Sequence, residues 1–351
     1  MKKVNFTLAL IGIFVLSAHA TIRTVSNDSR APAQYTSINT AIQESNSGDT
    51  ILVYGSSTGY GNITIDRKIV LIGAGYNNPY GANSSLSYLN LNGAGALSAS
   101  HSKISGFAIT YLYFNGTNGT SKLIEDVVIE RCRLYYLNFS DGSVTYRNDT
   151  IRNCLVKDYG LYLNSGTFDN VLLHNNIIDN SVIGASAVGA TETAFIRNCV
   201  FVNRASSNVF NNANNLTVEN CIFYAAEPQG CTDCAFNNNM TYLNTNNVLV
   251  GSVGNPGSVG SGNHENEDPQ FVTFPPGGGA FLYTHDLDVQ NTNAVNGGTD
   301  GTDMGIHGGM MPYTPGANPR IPQMTDISFP DASSIKVGGT LNVTFKAKKQ
   351  D

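Results

Sequence analysis

The chain has 351 residues and no tryptophan, and only 13% of its residues are charged. Charge this sparse leaves little to solvate amphipathic helices, whereas abundant glycine, asparagine, serine and threonine suit many short strands and tight turns. No lysine or arginine run is long enough to reverse the acidic balance locally, and the net charge is −6. Nothing draws a phosphate backbone or anionic lipid, so nucleic acid is not expected as a partner. After the first twenty residues no segment approaches eighteen consecutive apolar positions, which leaves no later membrane span to expect.

The start of the chain reads differently. Lys2-Lys3, an apolar run over residues 4–16 and then Ala18-His19-Ala20 have the three parts of a secretory signal with a small-x-small cleavage site. The expected mature chain begins at Thr21, with no stable membrane span after signal cleavage. Its expected place is outside the cell, at the cell surface or in a periplasm.

A phrase recurs along the middle: Ile129-Glu130-Arg131-Cys132, Ile151-Arg152-Asn153-Cys154, Leu173-His174-Asn175-Asn176, Ile196-Arg197-Asn198-Cys199 and Val218-Glu219-Asn220-Cys221. Successive fourth positions are 22, 22, 23 and 22 residues apart, and an apolar residue follows two places on. A period of twenty-odd residues marks a solenoid, in which each coil buries its apolar face against its neighbours. Like residues must stack on like, so the strands run parallel. Upstream, Ile104-Ser105-Gly106-Phe107 fits with Phe107 in the cysteine place; downstream, Thr245-Asn246-Asn247-Val248 fits with Val248 there. Eight or nine coils are expected between residues 51 and 250.

The cysteine place forms an inward column, where Cys132, Cys154, Cys199 and Cys221 serve as small apolar thiols. Cys231 and Cys234 lie outside that column, in what reads as an insertion over residues 227–234, and a local disulfide is expected for them. Two thiols alone are too few for zinc. Asparagine at 153, 175, 198, 220 and 247 suits a left-handed corner, with side chains bonding to one another and to freed backbone groups.

Both ends of a solenoid need covering. Residues 34–45 place Tyr35, Ile38, Ala41 and Ile42 on one helical face, and a capping helix is expected there. The expected organisation is a signal at 1–20, an N-terminal cap at 21–50, β-helix repeats at 51–250, an irregular closing segment at 251–312 and an extended tail at 313–351.

Several motifs carry a resemblance. Ser37-Ile38-Asn39-Thr40-Ala41-Ile42, Gly48-Asp49-Thr50-Ile51-Leu52-Val53, Ile63-Thr64-Ile65 and Ile69-Val70-Leu71-Ile72-Gly73-Ala74-Gly75 resemble the start of right-handed parallel β-helix proteins with the pectin-lyase-like fold. Glu267-Asp268-Pro269-Gln270-Phe271-Val272 and residues 300–309 are similar to the motifs that end many exported bacterial members. The resemblance implies an all-β, right-handed parallel β-helix. It implies little about activity, because this fold carries lyases, hydrolases, epimerases, adhesins and surface proteins.

Cleavage of an acidic polysaccharide would need paired carboxylates, or an acidic calcium cluster facing a lysine or arginine base. The second half of each coil, residues 137–143, 159–165, 181–187 and 204–210, carries only Asp141 and Arg204 as charges. No galacturonase or pectate-lyase signature is present, and no residue set reads as a metal or cofactor site; Asp300 and Asp303 read as parts of a terminal turn. One charged column remains, Glu130, Arg152, His174, Arg197 and Glu219, expected to project outward as an ion-pair ladder or as a docking strip. Asp149 stands where other coils have Val127, Val171, Ala194 and Leu216, and reads as a strand-start cap. Tyr111, Tyr113, Tyr135, Tyr136, Tyr159 and Tyr162 cluster in consecutive coils and can stack on sugar rings or pack. Three functions stay open: a noncatalytic binder of extracellular polysaccharide or a cell-surface component, a polysaccharide lyase or glycoside hydrolase, and a structural spacer.

Overall fold

The structure is a computed structural model that describes residues 20–77, 81–94, 97–116, 122–314, 323–328 and 343–348. The signal-like segment before Ala20 and most of the tail lie outside the described residues.

Eleven strands form one parallel sheet, from Ile22–Val25 and Thr50–Val53 through Val128–Glu130, Thr150–Arg152, Val171–His174 and Ala194–Arg197 to Val259–Ser261. The register pairs Ile104, Ile129, Ile151, Leu173, Ile196, Val218 and Phe236 in turn, and all seven are buried. The recurring phrase is therefore one strand and corner per coil. A second sheet holds the strands that follow the cysteine place, among them Ala108–Asn115, Arg133–Phe139, Leu155–Leu163 and Val200–Asn208. Short strands Leu123–Glu125, Thr145–Arg147 and Thr167–Asp169 form a third side. The protein is an all-β parallel β-helix.

Between strand and cysteine the chain turns through residues with positive φ. Asn153, Asn175, Asn198, Asn220 and Asn238 have φ between +49° and +56°, the left-handed region that asparagine tolerates best after glycine. Cys132, Cys154, Cys199 and Cys221 follow as buried free thiols. Asn176 takes the same place in its coil, and satisfies itself there by accepting from Cys154 N at 2.9 Å and donating to Ile151 O at 2.8 Å.

The last coils differ from the expected register. Val218 pairs with Phe236, so Asn238 and Asn239 hold the corner and cysteine places; Asn247 and Val248 do not. Asn239, 18 residues after Cys221, accepts from Cys221 N. The coil has contracted: Ile222–Glu227 is its second-sheet strand and Cys231–Thr232 its third side, so residues 227–234 are part of the coil rather than an insertion. Cys231 pairs with Ala213, Cys234 falls opposite Leu216, and the two are joined by a disulfide. Both are fully buried.

The helix near the start spans Ile38–Gln43, shorter than residues 34–45. Ser37 caps it by accepting from Thr40 N, while Tyr35 bridges to Val25 in extended conformation. The first sheet begins ahead of this helix, with Ile22–Val25 paired to Thr50–Val53.

Residues 264–314 fold back along the coils, a return segment whose second pass is tied to the asparagine corners in reverse order. Asn238 Nδ2 donates to Gly297 O, Asn220 Oδ1 accepts from Thr299 N, and Asn198 Nδ2 donates to Asp303 O. Asn175 Nδ2 donates to Ile306 O and Gly308 O, and Asn153 Nδ2 donates to Met311 O. The corner asparagines thus bond to this segment, not to one another. Under the segment lies a second apolar cluster, in which the outward residues Leu155, Ile177, Val200, Ile222 and Met240 pack with Phe281, Leu287, Met304, Ile306 and Tyr313.

Candidate binding surfaces

The charged column stands in register across five coils. It is not an open strip. Glu130 is only 4% exposed, paired with Lys103 at 2.7 Å on one side and Arg152 at 2.6 Å on the other. Burial alone would raise its carboxyl pKa, yet hydrogen bonds from Lys103 and Arg152 outweigh burial and hold it below the ordinary value. Arg197 pairs with Glu219 at 2.8 Å and lies over the Phe195 ring at 4.3 Å. Each carboxylate of the column is thus engaged by a cation.

His174 sits between the two arginines. Burial first, then the positive charges of Arg197 and Arg152, push its pKa down to about 4. It is neutral at physiological pH, and a base that weak is poorly matched to proton abstraction near pH 7. Gly309 of the return segment covers the ring: a Cβ there would come within 2.8 Å of His174 Cε1, and φ is +73°. A cavity of about 460 Å³ remains between column and segment, bounded by Arg152, His174, Arg197, Thr299, Met310 and Met311.

Asp149 is fully buried. Its Oδ1 accepts from Val127 N at 2.9 Å, and Oδ2 has no partner. Burial raises its pKa well above the carboxylate range, with Asp126 and Glu125 adding to the effect. It is a buried core acid. Asp300 closes a turn by accepting from Thr302 N and Oγ1, and Asp303 Oδ1 accepts from Asn296 N, as members of a terminal turn should.

The tyrosines occupy the outer face of the second sheet and divide into two groups. Tyr88, Tyr111 and Tyr136 stack in one register column, with Tyr113 and Tyr162 in the next. Ring centroids are 4.8 Å apart for Tyr88 and Tyr111, 5.7 Å for Tyr113 and Tyr136, and 5.2 Å for Tyr136 and Tyr162. Rings stacked coil upon coil present edges and hydroxyls to water, so the ladder offers few free ring faces. Tyr88 extends it by a coil beyond the residues singled out from sequence.

Tyr135 and Tyr159 stand at a bulge, where the pairing of Arg133–Phe139 with Leu155–Leu163 shifts register. Their centroids are 4.5 Å apart at 45°, and Tyr159 is 51% exposed. Here the return segment comes close without covering the coil. A groove of about 260 Å³ runs between Tyr135 and Tyr283, with Arg133, Lys157 and Asp158 on its walls. Lys157 is held by the buried Asp179 at 2.9 Å, whereas Arg133 is exposed and makes no ion pair among the described residues. The structure therefore brings Tyr135 to a groove, with Tyr159 packed against it, and leaves Tyr136 and Tyr162 in the ladder. The charged column belongs to the other sheet.

Arg133, Lys157, Asp158 and Tyr283 escape a reading by repeats. A signal exists for the first: Arg133 is polar where Leu155, Ile177, Val200 and Ile222 are apolar, a break in the outward apolar line that the return segment covers.

These features define a parallel β-solenoid with a folded-back C-terminal segment. No protein-family model matches the chain, and no curated protein sequence does. Among solved structures it is similar to pectate lyase Pel9A, at 13% identity over 81% of this chain and 95% of that one, with a TM-score of 0.48.

Proposed function

We propose that this protein is a noncatalytic β-solenoid that acts outside the cell and binds glycan in the groove between Tyr135 and Tyr283. The observation that carries the reading is the composition of that groove: exposed aromatic surface, one unpaired guanidinium and a lysine–aspartate pair beside it. Sugar rings pack their C–H faces on aromatic rings, and their hydroxyls or carboxylates take hydrogen bonds from such cations. The charged column supports the noncatalytic part. Its carboxylates are engaged by lysine and arginine, and its histidine is too weak a base.

Glycan-array binding by the mature chain tests the reading. Binding to one glycan class is expected, and Tyr135→Ala with Arg133→Ala should weaken it at least about tenfold, the loss of roughly 1.4 kcal/mol. Binding that survives both substitutions would place the site elsewhere, and no binding at all would favour a spacer. Release of oligosaccharide products, lost in Glu130→Ala or His174→Ala, would replace this reading with a lyase or hydrolase.

A further inference from the structure

The two passes of the return segment bring together Asp286, Asp288 and His307. Each offers one ligand atom, and the three atoms lie within 4.8 Å of one another. His307 Nε2 is 3.4 Å from Asp288 Oδ1. A charge-assisted N–H···O bond would close to about 2.7–2.9 Å. The observed separation instead matches the edge of a tetrahedron with bonds of about 2.1 Å, the length of zinc to imidazole or carboxylate. Among the described residues no lysine or arginine pairs with either aspartate, and Asp286 Oδ1 accepts from Asp288 N at 3.0 Å, which holds the two carboxylates on one turn beside His307.

The same three residues line a cavity of about 450 Å³, whose other walls include Ile177, Phe281 and Ile306. Three protein ligands with an adjoining cavity are the arrangement of a site that keeps a coordination position for water or a ligand. A second group, His101, Glu125 and Asp126, differs. Its Glu125 already faces Arg147 at 3.6 Å.

We infer that Asp286, Asp288 and His307 form a binding site for a divalent transition metal of the zinc type, with its open position facing the cavity. The imidazole nitrogen selects zinc over calcium and magnesium, which prefer all-oxygen sets. Because Asp286 and Asp288 lie on one pass and His307 on the other, the bound ion also fastens the two passes together. Metal that binds only the folded chain stabilises it by mass action.

Isothermal titration of the untagged, chelator-treated mature chain with zinc chloride and with calcium chloride tests this. One zinc per chain is expected, bound more tightly than calcium, with a melting temperature that rises on saturation. His307→Ala should weaken zinc at least about tenfold, Asp288→Asn should do the same while keeping the side-chain shape, and His101→Ala should change nothing. Circular dichroism without metal establishes that each variant is folded. Zinc binding that is absent, unchanged in both His307→Ala and Asp288→Asn, lost in His101→Ala, or weaker than calcium binding would overturn the assignment.

Discussion

Leu155, Ile177 and Val200 point outward at the start of second-sheet strands and are buried, while Tyr88, Tyr111, Tyr113, Tyr136 and Tyr162 point outward farther along strands of that sheet, most of them in earlier coils, and meet water. Backbone pairing is parallel in both places, so the fold alone does not distinguish them. The difference is what crosses the outer face. The return segment covers the starts of the later strands with Phe281, Leu287 and Ile306 and leaves the tyrosine positions bare. A β-helix wall can thus be core on both faces or surface on one, according to a chain segment more than a hundred residues away.

Substitutions can break that comparison. Ile177→Asp is expected to have the largest effect, a loss of at least about 3 kcal/mol in denaturant unfolding, because it buries a charge and removes an apolar contact. If it unfolds no more easily than a surface variant, the covered strip is not core. Asn175→Gly keeps the left-handed corner but strands Gly308 O and takes one of two donors from Ile306 O, which keeps Tyr313 N, and should cost about 2 kcal/mol.

The histidine beneath the segment gives a pH signature of similar or smaller size. His174 has a folded pKa of about 4 against an ordinary value of 6.5. Between these values the unfolded chain binds more protons, so stability is complete above pH 6.5 and declines as pH falls towards 4. The expected loss is on the order of 2 kcal/mol, and His174→Gln should flatten that part of a stability–pH curve. Parallel curves for the two proteins would show that other groups cause the decline. Tyr113→Ser on the bare face should have the smallest effect, about 1 kcal/mol or less, since it removes ring contacts without opening a core. A Tyr113→Ser loss equal to that of Ile177→Asp would erase the distinction between the faces.

Much of this architecture is legible in the chain. The phrases at Cys132, Cys154, Asn176, Cys199 and Cys221 state period, register and inward column together, since stacking requires each coil to repeat its neighbour. Even the covered strip leaves a trace. Cys154-Leu155-Val156, Ile177-Ile178 and Cys199-Val200-Phe201-Val202 are unbroken apolar runs where a one-faced strand would alternate, the pattern of strands buried on both sides. The contracted coil around Cys231 and Cys234 is less legible, because an 18-residue step breaks the period that identifies the others. Its phrase, Phe236-Asn237-Asn238-Asn239, lacks the cysteine.

The candidate sites are legible only in part. Sequence places Glu130, Arg152, His174, Arg197 and Glu219 in one column, but their accessibility depends on residues 297–311, which have no repeat to place them. Tyr135 becomes a groove residue through a bulge and through Tyr283, both invisible to a coil-by-coil reading. Asp286, Asp288 and His307 have no shared spacing.

Local repetition by itself determines the coil of this protein, because each turn contacts only its neighbours and the period records those contacts. The path of the return segment is decided by tertiary structure. Asparagine corners and outward apolar residues attract that segment only once the coils have stacked them into lines, and those lines decide which side chains are left to meet a ligand.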